Sequence, residues 1–137
     1  MTRPTHTRTS LEADGWMLVS AEERHAAYPG TFQIPSRADR ETLVPGAAAK
    51  LLFHIETKDA SRVIDSGVDR MWVIVRAVTP EGYLGVLDSD PGQSDGLNLR
   101  EGDVIVFGAE HVAAIDYPPK DYVVGKYGRS FFGNESG

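Results

Sequence analysis

The sequence predicts an α+β, β-rich domain: a single curved, barrel-like antiparallel sheet of about four to six strands, with a short N-terminal helix packed on one face. Three stretches predict it. From Arg70 to Asp88, two runs rich in β-branched and aromatic residues flank Thr79-Pro80-Glu81-Gly82, a turn sequence with Pro80 where φ is preset and Gly82 closing it. From Ala49 to Glu56, Leu51, Phe53 and Ile55 alternate with Lys50, His54 and Glu56, which is a strand with one wet face. Ser20-Ala21-Glu22-Glu23 has capping-box spacing and starts a helix that Tyr28-Pro29-Gly30 stops.

Taken in order, residues 1–12 show no apolar period and read as a mobile N-terminal arm. Residues 13–116 read as one globular domain, beginning with the short apolar run Trp16 to Val19 and the helix from about Ala21 to Tyr28. Thr31 to Gly46 fits a short helix and an irregular linker equally well. Thr57 to Asp69 is polar, contains Lys58-Asp59 and Ser66-Gly67, and reads as a loop and the best place for a mobile flap. The first hairpin strand is apolar on both faces, so it belongs at the centre of the sheet. Asp88 to Gly96 is dense in turn residues and takes the chain out of the sheet. Asp103 to Phe107 is a further strand, and Glu110 to Ile115 is a last short strand or a helical turn. Residues 117–137 form an aromatic tail with Gly and Pro, too broken for a regular element.

Composition narrows the class. At 137 residues the chain suits one domain with one core. Its 41% hydrophobic and 25% charged residues fit neither wholesale disorder nor a membrane protein. No apolar run approaches the roughly 20 residues of a spanning helix, and no h-region follows Arg3 and Arg8. The absence of cysteine suits a reducing cytoplasm and leaves no thiolate chemistry. The net charge of -6 disfavours nucleic acid, because counterion release needs clustered cations.

The candidate site residues fall into three groups. Asp88, Asp90 and Asp103, with Asp95 and Glu101, make an acidic stretch opposed by Arg100; carboxylates there can hold a hard cation or serve as turn caps. The spacing fails the EF-hand rule, since Pro91 and Gly92 stand where ligands should continue. Glu110 and His111 could supply a base, although adjacent residues point apart and Glu110 is a poor orienter. Trp72 shares a strand face with Arg70 and Arg76, which suits either a stacking site or a core Trp under the helix. No motif calls for a cofactor or a metal. Gly125 to Ser130 lacks the order of a phosphate-binding loop.

The succession Phe32-x-Ile34-Pro35, Arg40, Leu43-x-Pro45-Gly46, Lys50-Leu51-x-Phe53, Arg70-Met71-Trp72-Val73, Tyr83-x-Gly85-x-Leu87, Pro91, Leu99-x-x-Gly102-Asp103-x-Ile105-x-Phe107 and Glu110-His111-Val112 resembles the YegJ-like family of small bacterial proteins of uncharacterised function. The resemblance implies a compact β-rich bacterial domain and no known reaction. Taken together, these features favour a non-enzymatic protein-binding or regulatory module. Two alternatives stand beside it: a nucleic-acid-binding barrel, for which Leu99 to Phe107 is similar to the Gly-Asp strand of the PUA-like ASCH group, and a metal-assisted hydrolase using the Asp88 to Asp103 acids with His111.

Overall fold

The structure, a computed structural model, describes residues 4–60 and 62–132. Seven strands form one sheet: β1 (Thr5–His6), β2 (Trp16–Val19), β3 (Ala48–Asp59), β4 (Arg62–Thr79), β5 (Gly82–Leu87), β6 (Val104–Phe107) and β7 (Val112–Asp116). Their order is β1-β6-β5-β4-β3-β2, with β7 also on β3. The sheet curls into an open half-barrel carrying a few short helices, α1 (Leu11–Asp14), α2 (Ala21–Ala27), α3 (Arg37–Glu41) and α4 (Lys120–Tyr127). All pairings are antiparallel except β1 with β6, which is parallel.

The hairpin forms as its sequence implies. Thr79 pairs with Gly82 across Pro80-Glu81, and β4 lies between β3 and β5. A Cβ on Gly82, whose φ is +154°, would stand 2.4 Å from the Phe107 carbonyl oxygen, so no larger residue fits where β6 passes the turn. Met71, Val73 and Val75 enter a core shared with Trp16 of β2 and Ile105 of β6. Strands from both ends of the sheet order feed this one cluster, so it fills the inside of the curl. Ile74 faces the other way, with Ala48 and Val86.

One edge of β3 is shared. Its first third, Ala48 to Leu51, pairs with β7, and its middle third, Leu52 to Ile55, pairs with β2. Since β7 follows β6 after a 3₁₀ turn at Ala109–His111, the chain crosses from one side of the sheet to the other there and draws one end of the curl together. Arg40, 6% exposed, ties the helices to this crossing: its guanidinium donates to Glu22 at 2.5 Å, to the Ala109 carbonyl at 2.9 Å and to the Pro35 carbonyl at 3.0 Å.

The α2 helix starts at Ser20, whose hydroxyl accepts from the Glu23 amide, as the capping box predicts. Residues 31–46 combine both readings, a single short helix α3 within irregular chain. Glu110 to Ile115 likewise supplies both a helical turn and a strand.

Three local expectations need correction. Thr57 to Asp69 is not a loop; β3 runs to Asp59 and β4 starts at Arg62, with Ala60 at φ +49° in the tight turn. Its turn-prone dipeptides yield to ladder pairing with β3, supported by a 2.6 Å bond between His54 Nε2 and Ser66 Oγ. The described part of the N-terminal arm is held in place, because His6 is buried and β1 adds to β6. Residues 1–3 lie outside the described part. The tail is not too broken to be regular: α4 and a 3₁₀ turn at Arg129–Phe132 pack Val123 and Phe131 on the outer face of the sheet. Residues 133–137 lie outside the described part.

Leu87 is fully buried opposite Val73. Leu87→Ala should cost about 2–5 kcal/mol, read as a lower urea midpoint with an unchanged m-value.

Candidate functional site

The acidic stretch does not act as a unit. Asp88, at the end of β5, turns towards α4: it accepts the Tyr127 hydroxyl on Oδ1, the Tyr122 hydroxyl on Oδ2 at 2.8 Å, and Lys126 Nζ at 2.8 Å. Lys126 also reaches Glu101 at 2.8 Å. Partial burial raises the Asp88 pKa, but the bonds from Lys126, Tyr127 and Tyr122 outweigh it and hold the carboxyl below its usual range. Asp90 makes an Asx turn to the Gly92 amide at 2.9 Å. Asp103 is buried elsewhere, beside His6. Among the described residues, no group of three or more His, Asp and Glu side chains is placed to hold a metal ion.

Trp72 is half-buried on the outer face, where Tyr127 and Phe132 cover the same cluster. Its cover is therefore the C-terminal helix and not the N-terminal one. Lys50 Nζ stands 4.9 Å from the Trp72 ring, and the Arg70 guanidinium stands 5.3 Å from the Phe32 ring. Arg70 and Trp72 thus share a face, as period two requires, yet each engages a different partner.

Asp103 and His111 are related only through a residue that the sequence left among the arm, His6, which bonds Asp103 and shares a cavity lining with His111. His6 Nε2 lies 2.9 Å from Asp103 Oδ2, both side chains buried, and the same oxygen accepts the Arg100 amide at 3.0 Å. Among the described residues, Asp103 Oδ1 is buried without a hydrogen-bond partner. The His6 ring meets Trp16 edge-on at 5.3 Å. His6, Trp16 and His111 together line a cavity of about 130 Å³. His111 Nδ1 accepts the Gly108 amide at 3.0 Å, which assigns its proton to Nε2. Burial pulls the His111 pKa below its ordinary value, against the opposing pull of Glu110 and Glu22. Glu110 stays exposed, 3.9 Å from that ring, so it does not orient the histidine. A His–Asp pair beside a neutral histidine can accept one hydrogen bond and donate another into the same space.

The long strand β4 supplies a different feature. The Trp72 amide donates to Ser89 Oγ at 3.2 Å and its carbonyl accepts the Asp88 amide at 2.9 Å, so its backbone faces the β5 side. Period two turns Ser66, Val68 and Arg70 to that same side, before pairing with β5 begins at Val73. Their edge groups have no hydrogen-bond partner among the described residues. Along this open half, Val63, Ile64 and Val68 are 49%, 61% and 37% exposed.

Comparison with protein-family models, curated proteins and solved structures finds no match. No helix among the described residues is long and apolar enough to cross a membrane.

His6 carried no spacing signal in the sequence, because its partner stands 97 residues away. Tyr122, Lys126 and Tyr127 do show one: spacings of four and five place them near one side of a helix, a pattern that could have marked a docked helix.

Two outcomes follow from these geometries. The folded-state pKa of Asp88 is lowered, so the stability it contributes is fully present above the ordinary value of 3.8 and is lost as pH falls through the lower folded value. Asp88→Asn should therefore speed amide exchange across α4 at least about tenfold near neutral pH and remove that acid-dependent loosening. The His111 ring should titrate by NMR with a midpoint below 6.5; a midpoint above it contradicts the buried, neutral assignment.

Proposed function

We propose that this protein is a non-enzymatic protein-binding module that captures an extended segment of a partner protein by adding it as a strand to the open edge of β4. The observation that carries this reading is the projecting half of β4, where Ser66, Val68 and Arg70 present unpaired edge groups beside exposed Val63, Ile64 and Val68. An edge of this kind is a template for strand pairing. β3 backs it over its whole length, so the docking surface is built before a partner arrives. The charges along it are mixed, with Arg62 and Arg70 against Asp65 and Asp69, which suits a segment with alternating apolar residues and little net charge.

The other readings have less support. For nucleic acid, Lys50 and Arg70 of the outer face are stacked on rings, and Lys126 is paired with Asp88 and Glu101. For a metal-assisted hydrolase, Asp88, Asp90 and Asp103 each serve a different local bond, and the cation donors they would need to share are dispersed.

The test selects extended peptides from a random library on the intact chain and follows amide exchange. Bound peptides should slow exchange at Ser66, Val68 and Arg70. Val68→Pro, which removes an edge amide that no strand uses, should abolish binding with little change in melting temperature. Protection elsewhere overturns the reading. So does a concentration-dependent dimer that already protects those amides, because a second copy would then occupy the edge.

A further inference from the structure

We propose that the cavity between the two end strands of the half-barrel binds a small neutral molecule carrying a hydrogen-bond donor beside an acceptor on an apolar frame, such as an azole. β1 and β2 stand at opposite ends of the sheet order, and the cavity is lined from both, by His6 and Thr9 at one side and by Trp16 and Leu18 at the other. It is the gap that remains because the curl does not close. Val106 of β6 and His111 also line it, with Thr7 and Met17.

Two hydrogen bonds set the polarity of the site. His6 Nε2 meets the buried Asp103 carboxylate, which can only accept while ionised, so in the neutral ring Nε2 carries the proton and Nδ1 keeps its lone pair. His111 is the reverse: its Nδ1 accepts the Gly108 amide, so Nε2 carries the proton. The lining therefore holds one ring with a free acceptor nitrogen and one with a free N–H donor, each set by a group behind it, alongside the hydroxyls of Thr7 and Thr9 and the apolar side chains of Trp16, Leu18 and Val106. A molecule with a donor beside an acceptor satisfies both.

Size and charge narrow the class. The volume of about 130 Å³ is a little below the roughly 150 Å³ that takes benzene, so the site suits a small molecule such as a five-membered ring. An anion is disfavoured by Asp103 behind His6 and Glu110 near His111. A carboxylate-backed histidine is also the usual setting of a metal ligand. Here His111 has no free lone pair unless its bond to Gly108 breaks, and no third ligand joins the pair among the described residues.

The experiment titrates the full chain separately with pyrazole, benzene, acetate and zinc while NMR follows the histidine ring nitrogens, the Trp16 indole and the Gly108 amide. Pyrazole should give saturable shifts at the His6 and His111 rings and at Trp16, with millimolar affinity and at least tenfold preference over benzene and acetate. Asp103→Asn, whose amide can donate to Nε2 and so move the His6 proton to Nδ1, should weaken pyrazole at least about fivefold. His111→Phe should do the same by removing the donor. The absence of saturable shifts at tens of millimolar pyrazole overturns the proposal, as does equal binding of benzene. Tighter acetate binding overturns it too, and zinc binding that releases the Gly108 amide assigns the site to a metal instead. If either variant fails to fold, the comparison of the four ligands on the native chain decides.

Discussion

All twelve residues of β3 run antiparallel to β4, from Ala48 opposite Ile74 to Asp59 opposite Arg62, and this pairing positions every other part of the molecule. Because β4 continues five residues past Ile74, its last residue paired with β3, only on the β5 side, one strand serves two neighbours in succession. Its middle, Met71 to Val75, is enclosed, with β3 and β5 alongside, an inner core below and α4 above. Its lower half keeps β3 and loses the rest. The same strand is thus core at one end and exposed edge at the other, and sheet pairing, which does not depend on burial, is what carries it from one condition to the next.

The curl follows from how β3 divides its second edge. With β7 on its first third and β2 on its middle third, the chain after β6 must cross to the far side of the sheet, and Arg40 pins that crossing through Glu22 and the Ala109 carbonyl. A buried guanidinium is tolerated because its bonds go to the Glu22 carboxylate and to the Ala109 and Pro35 carbonyls. The crossing brings the ends of the sheet close without joining them. The small histidine-lined cavity occupies that unjoined seam, and the edge contact between His6 and Trp16 spans it.

The two well-placed acids show how one residue type takes unlike roles. Asp88 sits where a strand ends and a helix docks, so its charge is met by two phenols and an ammonium, and it fastens α4 to the sheet. Asp103 sits at the start of β6, where the turn from Arg100 buries it against His6. Sequence spacing could group them as acids of one stretch, but it could not separate a clasp from a buried pair, since the distinguishing partners lie 34 to 97 residues away.

Local chemistry determined what local chemistry controls. Pro80 and Gly82 set the hairpin, alternation in Leu51, Phe53 and Ile55 set a strand, and Ser20 with Glu23 set the start of α2. The two-sided apolar pattern of Met71 to Val75 placed that strand at the centre, because only a strand covered on both faces can bury both sets. Tertiary structure decided the rest. Thr57 to Asp69 became strand because β3 was already beside it, and the tail became helix because the outer face around Trp72 needed a cover and Asp88 offered three hydrogen bonds to hold one. His6 gained a role only when parallel pairing of β1 with β6 laid it against Asp103, a contact between distant residues for which no local period exists.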